Sequence, residues 1–139
     1  MKTLFTLFII SFLSQNIIYG QDNKYDINLV VKNIRNNKGL VAVQLLDEKE
    51  NVVEAKYIAI KDKVASTTFN NLSPGKYAIR VYHDENRNEK MDFNWMGIPK
   101  EGYGFSGNPK VTFGPPDFEE FLFQIDADKK MIINMIYFL

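Results

Sequence analysis

Hydrophobic and polar residues alternate with a period of two along much of the chain, which is typical of β-strands with one buried face. The two clearest runs are residues 27–31 and 41–45, and the turn-forming sequence Asn-Asn-Lys-Gly at 36–39 separates them. Gly39 suits the positive φ that such a turn requires. The pattern therefore predicts that these two strands form a hairpin.

Five further strands are predicted by the same alternation. They cover residues 57–60, 64–69, 77–82, 121–125 and 131–137. No stretch of ten or more residues has a helical period, and residues 48–57 are the only place where a helical turn fits. About seven short strands separated by turns predict an all-β, antiparallel Greek-key β-sandwich, as in immunoglobulin-like domains. Its core is predicted to hold the apolar strand faces, with Leu29, Val41, Val43, Tyr77, Ile79, Val81 and Phe123.

The first twenty residues have the pattern of a secretory signal peptide. Lys2 precedes a ten-residue apolar run at 4–13, and Gly20 is a small residue suited to the position before a cleavage site. The apolar run is shorter than the ~20 residues that span a bilayer. We therefore expect cleavage after Gly20, an exported protein located in the periplasm or outside the cell, and one folded domain at 21–139. We expect no stable membrane insertion after cleavage.

Charge and composition exclude several classes of function. The chain has 17 Lys and Arg residues against 17 Asp and Glu residues, one His and no Cys. A balanced charge argues against a nucleic-acid partner. Without cysteine there is no disulfide framework and no thiolate nucleophile, and a single histidine excludes a multi-histidine metal site.

Between the fifth and sixth predicted strands the alternation stops for about forty residues, far longer than an ordinary connection. This segment, residues 83–120, is rich in Gly and Pro and also contains six aromatic residues. Because disordered segments are poor in aromatic residues, we expect an ordered excursion packed on the sandwich. The aromatic residues are expected to fill its underside, with at least one left exposed as a contact surface.

The beginning of the excursion contains regularly spaced oxygen-bearing side chains, at Asp84, Asn86, Asn88 and Asp92. Alternate oxygen ligands in a tight loop are the arrangement of calcium-binding loops. The sequence departs from that pattern at Glu89, where Gly is usual, and at Trp95, where a bidentate Glu is usual. Two interpretations stay open: a weak calcium site at these four residues, and a polar turn whose side chains cap their own backbone.

Several residues of the same region are candidates for ligand contact. They are His83, Trp95, Glu101, Tyr103 and Phe105. A hydrolase would use His83 with nearby carboxylates, but a general base needs a partner and a substrate within reach. No serine lies in a G-x-S-x-G motif. No catalytic residue and no certain cofactor is therefore assigned.

Four motifs make the chain resemble a family of exported bacterial proteins, domain-of-unknown-function family 2141. They are P-G-K-Y-A at 74–78, H-D-E-N-R-N-E-K-M-D at 83–92, G-I-P-K-E-G-Y-G-F-S at 97–106 and G-P-P-D-F at 114–118. The sequence differs from the family pattern at Arg87 and Glu89, where the family commonly has Gly. The resemblance implies export and a β-sandwich, and it implies no activity. The P-G-K-Y strand is also weakly similar to transthyretin-like sandwiches, which supports the fold only.

Three functional hypotheses follow. The first is an exported, non-catalytic binding or structural module whose excursion contacts an unknown protein or carbohydrate of the cell envelope. The second is a hydrolase that acts on an envelope or extracellular substrate with carboxylates near His83. The third is an accessory part of a larger assembly, recruited through a sheet edge.

Overall fold

The computed structural model describes residues 22–138. The predicted signal peptide, residues 1–20, lies outside the described residues. The described chain forms eight strands and one short 3₁₀ helix. In order, they are β1 (Tyr25–Lys32), β2 (Leu40–Asp47), β3 (Val52–Ile58), β4 (Ala65–Leu72), β5 (Gly75–Asp84), β6 (Tyr103–Phe105), the 3₁₀ helix (Phe118–Phe121), β7 (Leu122–Ile125) and β8 (Lys129–Asn134). The prediction of an all-β chain is confirmed.

The strands form two open sheets, consistent with a β-sandwich. One sheet has three strands in the order β4-β1-β8, and the other has the order β3-β2-β5 with β6 and β7 both paired to the free edge of β5. All pairs are antiparallel except one, because β8 runs parallel to β1. The prediction of a wholly antiparallel arrangement is corrected at this pair. The chain crosses from one sheet to the other between β7 and β8, and such a crossover permits a parallel neighbour.

The predicted hairpin of the first two strands is wrong, although both strands exist. β1 pairs with β4 and β8, whereas β2 pairs with β3 and β5 in the other sheet. Ile34, in the connection between them, is buried in the core. The connection therefore passes across the edge of the sandwich, and its turn residues serve a bend between sheets.

The third strand is longer and begins earlier than the predicted 57–60. β3 occupies Val52–Ile58, so residues 48–57, where a helical turn fits the sequence, form a tight turn followed by a strand. The Asp47 carboxylate accepts the backbone N–H groups of Lys49 and Asn51 and closes a tight turn there. This side-chain cap lets β3 pair with β2 almost immediately.

The core lies between the sheets and consists of the predicted strand faces. Leu29, Val41, Val43, Ile79 and Val81 are buried in it. Tyr77 and Phe123, which were predicted beside them, are half-buried and pack against the same cluster. The predicted register of β5 is confirmed because its alternate residues, such as Arg80, lie on the outer face.

A second, smaller core covers that outer face of the larger sheet. Leu46, Ala78 and Phe121 are buried there, and Phe105 and Phe118 pack against them. The Phe105 and Phe121 ring centroids are 4.9 Å apart. The excursion is thus an ordered lobe lying on the sheet, as predicted.

Candidate functional site

His83, at the end of β5, is fully buried and holds three segments together. Its Nε2 donates to the Lys38 carbonyl at 2.7 Å, since a carbonyl oxygen can only accept. Nδ1 lies 2.8 Å from the Tyr137 hydroxyl and 3.7 Å from a carboxylate oxygen of Glu85. Both ring nitrogens are engaged within the protein, so His83 lies away from any surface that a ligand can reach.

An ion pair between Arg35 and Glu85, two residues after His83, extends this polar cluster. Glu85 Oε1 lies 2.6 Å from Arg35 Nε, and Oε2 accepts from the Asn36 side chain at 3.1 Å. The Arg35 guanidinium also stacks 4.8 Å from the centre of the Tyr137 ring. Burial tends to raise the pKa of Glu85, but the hydrogen bonds from Asn36 and Arg35 outweigh burial and lower the pKa. The cluster joins the bend between the sheets to β5 and to the C-terminal segment.

The four residues of the proposed calcium loop do lie together in one tight loop. The buried Asp84 carboxylate accepts the backbone N–H groups of Asn88 at 3.0 Å and Glu89 at 2.9 Å. The side-chain amide groups of Asn86 and Asn88 donate to Asp92 at 2.6 Å and 3.0 Å. The carboxylates are therefore hydrogen-bonded to N–H groups of the loop itself.

These contacts leave the calcium interpretation as a prediction. Among residues 22–138, no group of three or more acidic, His or Cys side chains is gathered to hold a metal ion. A cation would need the Asn86 and Asn88 amides to turn over, so that their oxygens rather than their nitrogens face Asp92.

Glu101 supports the loop from below and is buried. Its two oxygens accept the backbone N–H groups of Glu85 at 3.0 Å and Asp92 at 3.2 Å. Burial raises the pKa of Glu101, and the neighbouring charges of Asp92 and Asp84 add to the rise against the opposing effect of the two N–H donors. The placement gives Glu101 a structural role and keeps it from a surface ligand.

Two residues of the loop adopt a backbone conformation that favours glycine. Arg87 and Glu89 both have φ of 60°, and these are the two positions where the family pattern commonly has Gly. An L-residue in this region costs roughly 1–2 kcal/mol, of which glycine recovers only part because it loses more entropy on folding.

We therefore expect Arg87→Gly and Glu89→Gly each to raise the free energy of unfolding by about 0.5–1 kcal/mol. Chemical denaturation measures the change. Lys90→Gly is the matched control, since Lys90 lies in the same loop and is not among the residues with positive φ. The strain interpretation fails if all three variants lose stability alike.

Beyond this loop the chain makes a second turn that projects two apolar side chains. The Asn94 side chain accepts the backbone N–H groups of Met96 at 2.9 Å and Ile98 at 3.0 Å, which fixes the turn. At its tip, Trp95 is 91% exposed and Met96 is 58% exposed. The turn is held by its own backbone and presents its apolar tip to solvent.

The other aromatic residues of the excursion divide as predicted between core and surface. Tyr103 is buried, and Phe105 and Phe118 are half-buried. Phe113 is 96% exposed on a separate loop. Aromatic side chains therefore both anchor the excursion and extend beyond it.

A cleft of about 630 Å³ lies between these loops and the outer face of the larger sheet. Its floor is formed by Gln44, Arg80 and Tyr82, and Tyr103 and Phe105 line it from β6. Val81 of β5 also lines the cleft. The remaining lining residues are largely apolar and come from the loops and the C-terminus: Met91, Phe93, Met96, Gly97, Ile98, Pro99, Thr112, Phe113, Gly114, Pro115 and Phe138.

The polar groups of the cleft floor are few. Arg80 Nε donates to Gln44 Oε1 at 2.7 Å, and its guanidinium lies 3.9 Å from Glu50. Burial and a hydrogen bond with Tyr57 raise the pKa of Tyr82, so its hydroxyl is protonated at neutral pH. The cleft thus offers an apolar wall with one cation and neutral hydrogen-bonding groups beneath it.

Two of the ligand-contact candidates predicted from the sequence, Tyr103 and Phe105, line the cleft, whereas Trp95 does not line it and lies next to Met96, which does. Sequence reasoning missed Met91, Phe93, Ile98 and Phe138, and it missed Arg80 as a floor residue. The available signal was the cluster of apolar residues at 91–99 within a segment otherwise rich in turns. Nothing in the sequence around Phe138 indicates that it lines the cleft, because only the fold brings the C-terminal segment to this position.

A family model matches residues 29–134, and its description is "Uncharacterized protein conserved in bacteria (DUF2141)". The chain belongs to this family, as the motifs indicated. No curated protein and no solved structure matches the chain. No helix within residues 22–138 is long and apolar enough to cross a membrane.

Proposed function

We propose that the protein is an exported, non-catalytic binding module whose cleft takes up the apolar part of a ligand. The cleft carries this proposal. Its volume of about 630 Å³ falls within the range of roughly 300–1,000 Å³ typical of small-molecule sites. Its composition, with mainly apolar walls and a few polar groups, is also typical of such sites.

The floor indicates which polar group such a ligand carries. Arg80, whose side chain is 43% exposed, favours a carboxylate or another anionic group at the buried end of the ligand. The walls, from Met91 and Ile98 to Phe105, favour an acyl chain or an aromatic body. Methionine adapts its shape easily, which suits a site that accepts related ligands.

The hydrolase hypothesis receives no support from this geometry. His83 and Asp84 are fully buried, and the hydrogen-bonding atoms of both are engaged by other groups of the protein. A general base must reach the proton that it abstracts. Neither residue faces the cleft.

Recruitment of a partner strand is disfavoured at the β3 edge of the larger sheet. Lys56 on the edge strand β3 has its ammonium group 2.6 Å from the Thr68 carbonyl on β4 and 4.7 Å from the centre of the Phe69 ring. A charged side chain that points inward at an edge opposes the addition of another strand.

Export and calcium binding are parts of the proposal that rest on the sequence. The apolar segment at 4–13 supports export, and the spacing of Asp84, Asn86, Asn88 and Asp92 supports a weak calcium site that would steady the loop beside the cleft.

The cleft is tested with the neutral fluorescent probe N-phenyl-1-naphthylamine. Ile98→Asp places a charge on the apolar wall at a half-buried position, so we expect probe affinity to fall by about tenfold or more while the fold is kept. Val53→Asp is the matched control, because Val53 is 49% exposed on β3 and is not a lining residue. Fluorescence titration measures both.

A parent protein that does not enhance probe fluorescence contradicts the proposal. An equal loss of affinity in both variants would contradict it as well. Circular dichroism confirms that each variant is folded.

A further inference from the structure

We propose that the two loops at the rim of the cleft dock on an anionic lipid bilayer surface, with Trp95, Met96 and Phe113 inserted among the lipids. The proposal goes beyond ligand binding in the cleft, because it assigns a partner to the rim. Where both hold, the membrane is the source of an acyl ligand, and that link alone rests on the proposed function.

The first observation is the exposure of the rim. Trp95 is 91% exposed and Phe113 is 96% exposed, values that leave these rings almost without contact to the rest of the protein. Large apolar side chains that neighbour one another at a surface mark an interaction site. Tryptophan in particular is enriched at the interface between membrane and water.

The second observation is that both loops contribute an exposed apolar side chain to one cleft. Met96 and Phe113 both line the cleft, one from each loop. The first loop is fixed by the Asn94 side chain, which accepts two backbone N–H groups. Two separate apolar tips at one cleft suit a lipid bilayer, because lipid molecules can pack around each inserted tip.

The third observation is the distribution of charge along the two loops. Residues 91–99 contain one charged residue, Asp92, whose carboxylate is bound by the Asn86 and Asn88 side chains. Lys90 and Lys100 follow on either side of this stretch.

The second loop has a similar pattern. Residues 111–116 carry no charge, with Lys110 before them and Asp117 after them. Three of the four residues that directly flank the apolar stretches are thus lysine, and the acidic residues Asp117, Glu119 and Glu120 follow the second loop. Lysine side chains beside an inserted tip reach lipid headgroups and are attracted to anionic lipids.

Trp95 is the single tryptophan of the protein, so its emission reports directly on the rim. The purified protein is titrated with vesicles of phosphatidylcholine and phosphatidylglycerol in a roughly two-to-one ratio, an anionic surface. We expect emission to shift to shorter wavelength and to be quenched by lipids with brominated acyl chains. Vesicles of phosphatidylcholine alone should bind more weakly, and salt should weaken binding to the anionic vesicles.

Two variants separate docking from a general effect of hydrophobic surface. Phe113→Ser should reduce partitioning into anionic vesicles by about tenfold or more and leave Trp95 available as the reporter. Val53→Ser removes an exposed apolar side chain outside the rim and should bind like the parent. Lys90→Gln combined with Lys100→Gln should reduce binding and its dependence on salt.

The outcomes distinguish this proposal from the proposed function. Vesicles that leave Trp95 emission unchanged overturn docking, and binding of the naphthylamine probe without vesicles then still supports the cleft. Vesicle binding without probe binding supports docking and contradicts the cleft. A third outcome is that Trp95 emission does not change with vesicles but shifts as the protein concentration rises. That result would assign the rim to contact with a second copy of the chain and would overturn docking.

Discussion

Replacing Gly39 with alanine is expected to lower the free energy of unfolding by about 2–5 kcal/mol, from backbone strain together with overpacking. Gly39 has φ of +70°, and a Cβ atom built there would lie 1.9 Å from the Asp84 carbonyl oxygen. The close neighbour is backbone of β5, so it cannot rotate away. Alanine must therefore displace the bend between the sheets or the end of β5.

Gly107→Ala is the matched control for this prediction. Gly107 has φ of +76° with nothing within 4 Å of a built Cβ, so it incurs only the conformational cost of roughly 1–2 kcal/mol. Chemical denaturation of both variants isolates the contribution of the contact. Equal losses in the two variants would show that the approach to Asp84 contributes nothing.

Replacing Asp84 with alanine is expected to lower the free energy of unfolding by about 3 kcal/mol or more, because hydrogen bonds to a charged group contribute roughly 1.5–3 kcal/mol each. The buried carboxylate accepts the N–H groups of Asn88 and Glu89, and its loss leaves both without that acceptor. The 84–92 loop should loosen, which faster amide hydrogen exchange of Asn88 and Glu89 would reveal.

Asp47→Ala is the control for burial. Asp47 also accepts two backbone N–H groups, from Lys49 and Asn51, but in an exposed turn where water replaces the lost acceptor. Its loss of stability should be smaller. A loss as large as that of Asp84→Ala would contradict the role assigned to burial.

The calcium prediction is decided by the same loop. If calcium binds there, millimolar calcium raises the melting temperature of the parent, since a ligand specific to the native state stabilises that state. The rise should disappear when Asp84 and Asp92 are both replaced by Asn. A parent whose melting temperature does not respond to calcium contradicts the prediction.

The strand faces could be predicted from local pattern because burial on one side of a sheet imposes a period of two. Val41 and Val43 on β2 and Ile79 and Val81 on β5 were assigned to the core on that basis, and they are buried there. β3 was predicted too short, because Glu54 and Lys56 place charge on a partly exposed edge strand and weaken the alternation.

The pairing of strands could not be predicted in the same way. The turn residues at 36–39 are compatible both with a hairpin and with a bend between sheets. Two tertiary features accompany the bend: Ile34 is buried in the core, and Gly39 packs closely against the backbone of Asp84. Both features bring together residues that are distant in sequence.

The candidate site shows the same division. The spacing of Asp84, Asn86, Asn88 and Asp92 indicated one tight loop, and the loop forms because short polar side chains cap nearby backbone groups. The residues next to His83 and Glu101 in sequence do not show whether these two side chains face a ligand or the protein interior. Lys38, Tyr137 and the backbone of Glu85 and Asp92 surround them only in the folded chain.

The all-β class, the core faces of the main strands, the ordered aromatic excursion and the family could all be derived from the order of the amino acids. Each of these follows from interactions between residues close in sequence, or from a motif that can be read directly. The tertiary structure decided the sheet partners, the parallel β1–β8 pair, the burial of the His83 cluster and the cleft. Those features depend on the placement of distant segments, such as Phe138 lining one cleft together with the loops at 91–99 and 112–115, which no local pattern of hydrophobic and polar residues specifies.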